Sequence, residues 1–374
     1  MNYSDVGKYI IVIILILLAI YINLEVKSKK IVQKVPQGID YNINPGFLKY
    51  FNKFQYKNLN DINVINNNKI FISIASYRDP ECYNTVKSII KNSKSPEKLK
   101  IVVCQQNSAE DIFSFNNENI REIFKKIDIK IIDMDYKKAR GPCWARFLIQ
   151  QEWNGEEYFL QIDSHTKFVK NWDEKLKNEL RKLPEKSCLS NYVSIYDVET
   201  QKIITPCLRK GLKAVEISEK DNLVRYNSDY YDIITSCVNN IKYQLNINHP
   251  IKSKGWSACF SFSKSDILHD APYDPYVPFL FFGEESDIFC RLYSRNWKFY
   301  VPSISICFTC FNRSYRKTFW ENNEYLDCNK MSKLRIYYKF GMLKDVDQRI
   351  LTEIDKYKIS NGFTYKQCLD FMFS

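Results

Sequence analysis

The sequence predicts an α/β fold in which a mostly parallel sheet carries helices on both faces. From residue 69 onwards, short apolar runs alternate with amphipathic segments of about ten residues, a pattern typical of parallel strands joined by helices. Hydrophobic residues make up 45% and aromatic residues 15% of the 374-residue chain, which indicates a buried core. Polar clusters also follow several of the predicted strands, at the sheet edge where such folds bind ligands.

Strands and helices alternate along the predicted domain. The predicted strands cover 69–76, 99–104, 129–134 and 157–162, and the predicted helices cover 83–91, 119–126, 142–153 and 172–183. Pro142 opens its helix at a position where the missing N–H costs little. Further along, we expect a strand at 256–263, a helix at 284–295, a strand at 297–308 in which Pro302 marks an edge, and a small helical tail from 320 to 374.

The N-terminal residues predict a transmembrane helix. Residues 9–22 form an unbroken apolar run, about 21 Å long as a helix. Leu24 and Val26 extend it toward the roughly 30 Å of a hydrocarbon core. A cleaved signal peptide also fits the length, but no small-residue cleavage site follows the run. We therefore expect an uncleaved single-pass anchor at 1–26, which contacts the lipid bilayer through 9–22, and a polar stem at 27–68.

The charges beside the anchor bear on its orientation. Lys8 precedes the apolar run, whereas Lys27, Lys29, Lys30 and Lys34 follow it. Since positive residues tend to stay on the cytoplasmic side of a membrane, this distribution favours a cytoplasmic location for the rest of the chain. The lumen of the ER or Golgi is the alternative.

The overall charge limits the classes of partner. The chain carries 55 Lys and Arg against 43 Asp and Glu, a net charge of +12 that is spread along the sequence. This balance suits a polyanionic ligand such as a diphosphate, or an acidic membrane surface. No dense basic cluster with interleaved aromatics occurs, so we expect no nucleic-acid partner.

The 12 cysteines are scattered, and many lie in apolar runs, as buried thiols do. Cys307 and Cys310 form a C-x-x-C motif, but no second pair at matching spacing completes a structural zinc site.

A carboxylate and an imidazole stand two positions apart where the predicted strand 157–162 ends. Asp163 and His165 can point to the same side of the strand end, because strand side chains alternate between faces. A hard oxygen and a nitrogen ligand so placed could bind one divalent cation. The alternative is an ordinary polar turn at the end of a strand.

Four blocks of sequence occur in an order that carries a resemblance to a known family. They are Ile72–Pro80, Ala139–Arg146, Gln161–His165 with Asn171–Asp173, and Phe282–Glu285 with Arg291. Together they resemble the Skp1-hydroxyproline N-acetylglucosaminyltransferase family over residues 69–320. The Asp-Ser-His block is also similar to that of the polypeptide N-acetylgalactosaminyltransferases, a related group.

The resemblance implies a GT-A type fold at 69–320, with 321–374 as a helical C-terminal extension. It also implies a UDP-sugar donor, a divalent cation that is usually Mn²⁺, and transfer with retention of anomeric configuration. The sugar that it favours is GlcNAc, moved to a hydroxyl acceptor such as hydroxyproline or Ser/Thr of a protein, or a glycan.

The same resemblance implies roles for particular residues. Asp163 and His165 would hold the metal. The residues implied in nucleotide-sugar binding are Ser76, Arg78, Asp79, Arg140, Arg146 and Trp172. The carboxylates implied in catalysis are Glu284, Glu285 and Asp287, which follow a turn at Gly283.

Each of these assignments has a structural alternative. Asp79 could belong to an Asp-Pro turn, Arg146 could be a solvated arginine, and Trp172 could pack in the core. The three carboxylates could be the acidic first turn that many helices have.

One departure from the family pattern concerns the third metal ligand. Enzymes of this fold often supply a histidine shortly before the position of Arg313, but the stretch from Cys307 to Arg313 contains none. Thr309, Cys307 or water are the candidates for that place. The departure raises a second hypothesis, a catalytically inactive sugar-nucleotide- or glycan-binding membrane protein. A metal-dependent hydrolase is a third, although the dense His/Asp clusters of such enzymes are missing.

Overall fold

The computed structural model describes residues 41–111, 113–115, 127–204, 208–218, 223–233, 249–322 and 326–374. The predicted transmembrane helix at 9–22 and the predicted helix at 119–126 lie outside these residues. Within the described ranges, no helix is long and apolar enough to cross a membrane.

The main element is an eight-stranded mixed sheet. The strands of the described residues are β1 (Ile70–Tyr77), β2 (Leu99–Asn107), β3 (Asp128–Asp135), β4 (Tyr158–Asp163), β5 (Thr166–Phe168), β6 (Ser187–Ser190), β7 (Ser194–Ile195), β8 (Leu208–Ile217), β9 (Val224–Ile233), β10 (Ile251–Lys252), β11 (Phe260–Lys264), β12 (Lys298–Val301) and β13 (Cys307–Thr309). The order in the main sheet is β10-β12-β6-β11-β4-β1-β2-β3. A three-stranded sheet β5-β13-β7 and the hairpin β8-β9 complete the strands.

The predicted parallel arrangement is confirmed for one half of the sheet. Strand β1 pairs in parallel with β2 and β4, and β2 pairs in parallel with β3. The other half differs, because β11 runs antiparallel to both β4 and β6. The predicted strand at 297–308 is two separate strands, β12 and β13, which belong to different sheets.

Helices cover both faces of the main sheet, as predicted. They are α1 (Glu81–Asn92), α2 (Pro142–Gln150), α3 (Trp172–Arg181), α4 (Ile267–Asp270), α5 (Glu284–Tyr293), α6 (Phe319–Asn322), α7 (Leu326–Lys339), α8 (Ile354–Tyr357) and α9 (Tyr365–Phe373). Short 3₁₀ turns occur at Pro45–Phe51, Leu59–Asp61, Pro96–Lys98, Tyr136–Lys138 and Gln348–Ile350.

Alternation of side chains along the central strands divides the core into two layers. Ile70, Ile72 and Ile74 of β1 face the layer that contains α1 and α3, whereas Phe71 faces the layer that contains α2, α5, α7 and α9. Because β1 and β2 are covered on both sides, their sequences are nearly continuous apolar runs. Strand β3 forms the sheet edge, and its exposed Asp and Lys side chains suit that position.

The C-terminal helices share the core of the sheet domain instead of forming a separate unit. Met331, Leu334 and Leu369 belong to the same buried cluster as Phe71 of β1. The guanidinium of Arg335 in α7 bonds both carboxylate oxygens of Asp274, at 2.9 and 3.1 Å, with both side chains fully buried. The sequence predicts a domain boundary at residue 320, but residues on both sides of this position pack in the same buried cluster.

Residues 41–68, predicted as part of a stem, also pack against the domain where the structure describes them. Phe51 and Leu59 are buried in the core. The Tyr56 hydroxyl donates to Glu353 at 2.7 Å and lies 2.8 Å from the Tyr357 hydroxyl. The stretch differs from a polar stem because the aromatic side chains between its Asn and Lys residues pack against the core.

Candidate active site

A cavity of about 500 Å³ opens at the carboxyl ends of β1 and β4. Parallel pairing places Ala75 of β1 opposite Asp163 of β4, so the residues that follow each strand meet at one edge. Five of the predicted site residues line the cavity: Arg146, Asp163, His165, Glu284 and Glu285. This size is ordinary for a small-molecule site.

Asp163 and His165 come together at the cavity wall. The Asp163 Oδ2 atom lies 3.7 Å from the His165 Nε2 atom. His165 is 2% exposed, and its Nε2 has no hydrogen-bond partner among the described residues. The other ring nitrogen, Nδ1, lies 2.8 Å from the Asp79 Oδ2 atom. The pair therefore places one carboxylate oxygen and one ring nitrogen next to each other at the cavity wall.

Arg146 of α2 connects two of the carboxylates. Its guanidinium donates to Asp163 Oδ1 at 3.1 Å, to the Ala258 carbonyl at 3.2 Å, and to Glu284 Oε1. The side chain is almost fully buried. Burial alone would lower the pKa of Arg146, but the charges of Glu284, Tyr273 and Asp163 raise it well above its usual value. Arg146 is therefore a fixed cation that holds the Asp163 carboxylate beside the Glu284 carboxylate.

Two carboxylates at the start of α5 face the cavity in different environments. Glu284 accepts from Arg146 and from the Tyr273 hydroxyl. Glu285 accepts from the Ala258 N–H at 2.9 Å and the Tyr192 hydroxyl at 3.0 Å. Burial, with a smaller repulsion from Glu284, raises the pKa of Glu285 to about 7. Glu285 can thus exist with or without its proton near neutral pH.

Part of the remaining cavity wall consists of residues to which the sequence analysis assigned no role in the site. Phe281, Phe282, Phe311 and Trp320 line it, with Arg225, Arg313 and Arg316. The Arg225 guanidinium lies 3.6 Å from the ring centroid of Phe282, which is half exposed. Arg225 enters from strand β9, and no local pattern links that hairpin to the site. In the sequence, the two adjacent phenylalanines before Gly283 were the one pattern that could have indicated this part of the cavity wall.

Several predicted nucleotide-binding residues lie away from the cavity lining. Ser76 is buried in the sheet. Arg78 is in ion-pair contact with Asp111 at 3.0 Å, and the Arg140 guanidinium stacks over the ring of Trp144 at 4.3 Å.

Trp172 and Asp287 have contacts in the interior. Trp172 is fully buried in the α1–α3 layer, where its indole N–H donates to the Ile89 carbonyl at 2.9 Å. Asp287 lies one turn into α5 and faces Lys339 of α7 at 2.6 Å. For Trp172, the contacts observed are those of a residue packed in the core, and Asp287 is paired with a cation inside the protein.

Asp79, also predicted to bind nucleotide, lies beneath the cavity wall instead of on it. Its carboxylate is 1% exposed and is occupied by partners within the protein. The turn that follows β1 directs the side chain toward Ser164 and His165, because β1 and β4 run side by side in parallel.

The donor set at Asp163 and His165 fits a divalent cation, although the protein supplies few ligands. The unpartnered, buried Nε2 of His165 is the observation that indicates a fit, since a carboxylate on the other ring nitrogen is the usual support of a metal-binding histidine. Among the described residues, no group of three or more His, Cys, Asp or Glu could hold a metal ion. Thr309 donates to the His165 carbonyl and Cys307 packs in the core, so neither reaches the cavity.

The fold is shared with glycosyltransferases of known structure. The crystal structure of GalNAc-T7 with UDP, GalNAc and Mn²⁺ superposes with a TM-score of 0.57 at 15% identity, covering 81% of this chain and 56% of that chain. This chain thus spans little more than half the length of GalNAc-T7. The TarS 1–349 structure from S. aureus with UDP-GlcNAc gives a TM-score of 0.45 at 13% identity, covering 79% of this chain and 75% of that one. The likeness to GalNAc-T7 shows that the protein has the GT-A type fold.

The sequence comparison then assigns the family. The sequence model of the glycosyltransferase (GlcNAc) family matches residues 69–121 and 114–361. The chain therefore belongs to this glycosyltransferase family, and the match includes α7 and α8 and ends before α9. Comparison with curated protein sequences gives no significant match.

Proposed function

We propose that this glycosyltransferase transfers a sugar from a UDP-sugar, with GlcNAc as the favoured sugar, to a hydroxyl group of a protein or glycan. The observation that carries the proposal is the Asp163–His165 pair, which faces a cavity of about 500 Å³ with an unpartnered ring nitrogen. The family description and the UDP found in the GalNAc-T7 structure support the choice of donor.

Asp163 and His165 would hold a divalent cation, with Mn²⁺ the first candidate. When bound, the cation supplies positive charge that stabilises a diphosphate as leaving group. Arg313 and Arg316, which line the same cavity, add cationic groups that can pair with phosphate oxygens.

The carboxylates of α5 are suited to orienting sugar hydroxyls. Glu284 is held in place by Arg146 and Tyr273, so its position on the cavity wall is determined before any ligand enters. Glu285 has a pKa of about 7 and can accept or donate a hydrogen bond to a hydroxyl near neutral pH. We assign both residues to the sugar or acceptor side of the site. No nucleophilic role is assigned to either, and we propose transfer with retention.

We further propose that residues 9–22 anchor the enzyme in a membrane as a single-pass helix, with residues 27–40 linking anchor and domain. The apolar run and its flanking lysines support this proposal. The flanking charges favour a cytoplasmic active site over a lumenal one.

The proposal can be tested by measuring UDP release from a panel of UDP-sugars. Each UDP-sugar is assayed once with Mn²⁺ and once with EDTA. We expect a single preferred donor and release that depends on metal. Asp163→Ala with His165→Ala should reduce the rate by at least about 100-fold, whereas the exposed Asp355→Ala serves as control. Full activity of the double variant would refute the assignment of the site.

Product analysis separates the remaining alternatives. A glycosylated acceptor with an α-anomeric linkage from an α-linked donor is the expected product, measured by NMR. Free sugar without acceptor product would indicate a hydrolase. UDP binding without turnover of any donor would indicate the inactive binding protein.

A further inference from the structure

Asp79 is a buried carboxylate with an unusual number of partners. Its Oδ2 accepts from the Ser164 hydroxyl at 2.6 Å and lies 2.8 Å from His165 Nδ1. Its Oδ1 accepts from the Glu81 N–H at 3.0 Å and from the Tyr315 hydroxyl at 3.1 Å. Arg316 adds an ion pair at 3.3 Å. The side chain is only 1% exposed, so its carboxylate is surrounded by protein groups and not by solvent.

The contacts of Asp79 determine which nitrogen of His165 donates to it. Ser164, Tyr315 and the Glu81 N–H all donate to the Asp79 carboxylate and Arg316 forms an ion pair with it, a set of partners that suits an ionised carboxylate. An ionised carboxylate can only accept hydrogen bonds. In its contact with Asp79, His165 Nδ1 is therefore the donor, and Nε2 is the ring nitrogen that lies toward Asp163.

The same carboxylate also holds a segment of the cavity wall. Arg316 lines the cavity and donates to the Tyr77 carbonyl at 2.9 Å, while Tyr315 beside it bonds Asp79. The segment follows β13, and the Thr309 hydroxyl at the end of that strand and the Cys310 N–H after it both donate to the His165 carbonyl. Asp79 thus contacts the imidazole on one side and the residues after β13 on the other.

We propose that Asp79 is a positioning residue that orients His165 for metal binding and joins it to the Tyr315–Arg316 wall of the cavity, and that it does not contact the nucleotide. The inference rests on the proposed function of Asp163 and His165. It replaces the nucleotide-binding role that the sequence predicts for Asp79, because the carboxylate has no face toward the cavity.

Asp79→Asn is the variant that tests the proposal with the least disturbance of the fold. Asparagine has the same shape and caps a helix about as well as aspartate, so the bond to the Glu81 N–H can persist. The amide carries no charge and can either donate to or accept from the imidazole, so it no longer selects one tautomer.

The primary measurement is Mn²⁺ affinity of the full chain, read from the electron paramagnetic resonance signal of unbound Mn²⁺. We expect Asp79→Asn to weaken Mn²⁺ binding about 10- to 100-fold. Affinity for UDP in EDTA should change less than about threefold, because Asp79 does not line the cavity. A loss of UDP affinity in EDTA with unchanged Mn²⁺ affinity would overturn the proposal in favour of direct nucleotide binding.

Asp173→Asn is a matched control. Asp173 is a buried carboxylate that accepts from Ser93, Lys94 and Ser95 at 2.7 to 2.9 Å and does not contact His165. Equal weakening of Mn²⁺ binding by both variants would show a general effect of lost buried charge and would also overturn the proposal.

A second measurement on the unsubstituted protein covers the case in which Asp79→Asn does not fold. The sequence contains 3 histidines, so ¹⁵N-histidine NMR of the full chain can assign the His165 ring. We expect the Nδ1–H tautomer before any metal is added, and the Nε2–H tautomer would refute the inference.

The Asp163→Ala and His165→Ala variants separate failure of this inference from failure of the proposed function. If they bind Mn²⁺ as tightly as the unsubstituted chain, the metal site itself is misplaced. If they lose Mn²⁺ and Asp79→Asn keeps it, only the role of Asp79 falls.

Discussion

The Nζ atom of Lys339 lies 2.6 Å from the Oδ1 atom of Asp287, with both side chains at most 5% exposed. This ion pair joins α7 to α5, the helix that begins with Glu284 and Glu285. Lys339 also lies 3.3 Å from Asp274, which in turn binds Arg335. The C-terminal helices therefore support the carboxylates of the candidate active site through a buried network of charges.

Lys339→Met should destabilise the protein by about 3 kcal/mol or more, because it leaves the Asp287 carboxylate buried without its nearest cation. Urea unfolding followed by circular dichroism measures the change. Lys366→Met is the control, since Lys366 and Asp370 form an exposed pair at 2.8 Å worth less than about 1 kcal/mol. Similar small losses in both variants would contradict a structural role for the Lys339 pair.

A fragment ending at residue 320 should fail to fold, even though the sequence predicts a domain boundary there. Removal of α7 and α9 would expose the apolar cluster that Met331, Leu334 and Leu369 complete. We expect an insoluble or protease-sensitive product, compared with a chain that ends at 374. The single variant Leu334→Ala should cost about 2–5 kcal/mol by itself. A stable, cooperatively unfolding fragment 69–320 would show that the C-terminal helices are a separate unit.

The parallel half of the sheet could be predicted because each of its strands is recognisable from its own few residues. Strands β1, β2 and β4 are buried on both faces, so each appears in the sequence as an apolar run bounded by polar residues. Strand β6, by contrast, contains two serines in four residues, and its burial depends on β11 and β12. Pairings of that kind join distant segments and leave no periodic signal.

The candidate site shows the same division. Asp163 and His165 were predicted from their spacing at a strand end, Glu284 and Glu285 from the family resemblance, and all four line the cavity. Arg146 was predicted to bind the nucleotide-sugar, and its partners in the structure include the carboxylates of Asp163 and Glu284. The Arg146–Glu284 contact spans 138 positions in sequence and follows only from the packing of α2 against α5.

Arg146→Lys should reduce the rate of sugar transfer by at least about 10-fold, since a single ammonium cannot reproduce the bonds to Asp163, Glu284 and the Ala258 carbonyl. Steady-state kinetics with the preferred donor measure the effect. Arg349→Lys, on an exposed arginine paired with Asp347, should leave kcat/KM unchanged. An Arg146→Lys enzyme with normal kcat/KM would show that the position of Asp163 does not depend on this guanidinium.

Glu285 should make the stability of the protein fall as pH rises toward 7. Its pKa is about 7 in the folded state against an ordinary value of 4.5, so the folded protein holds the proton more tightly than the unfolded chain. Unfolding between those pH values releases a proton, and the stabilisation present below pH 4.5 is lost as pH rises through 7. Glu285→Gln keeps the hydrogen-bonding shape and removes this titration.

We therefore compare the unfolding free energy of Glu285→Gln with that of the unsubstituted protein. The variant should gain stability relative to the unsubstituted protein as pH rises from 5 to 7. Above about pH 8 the difference should stay constant, at no more than about 3 kcal/mol. Urea unfolding at several pH values measures this difference, with the exposed Glu97→Gln as control. A difference that stays flat or decreases with pH would mean that Glu285 is ionised at neutral pH. In that case it could only accept hydrogen bonds from a sugar hydroxyl, and Glu285 would lose the donor role that its environment supports.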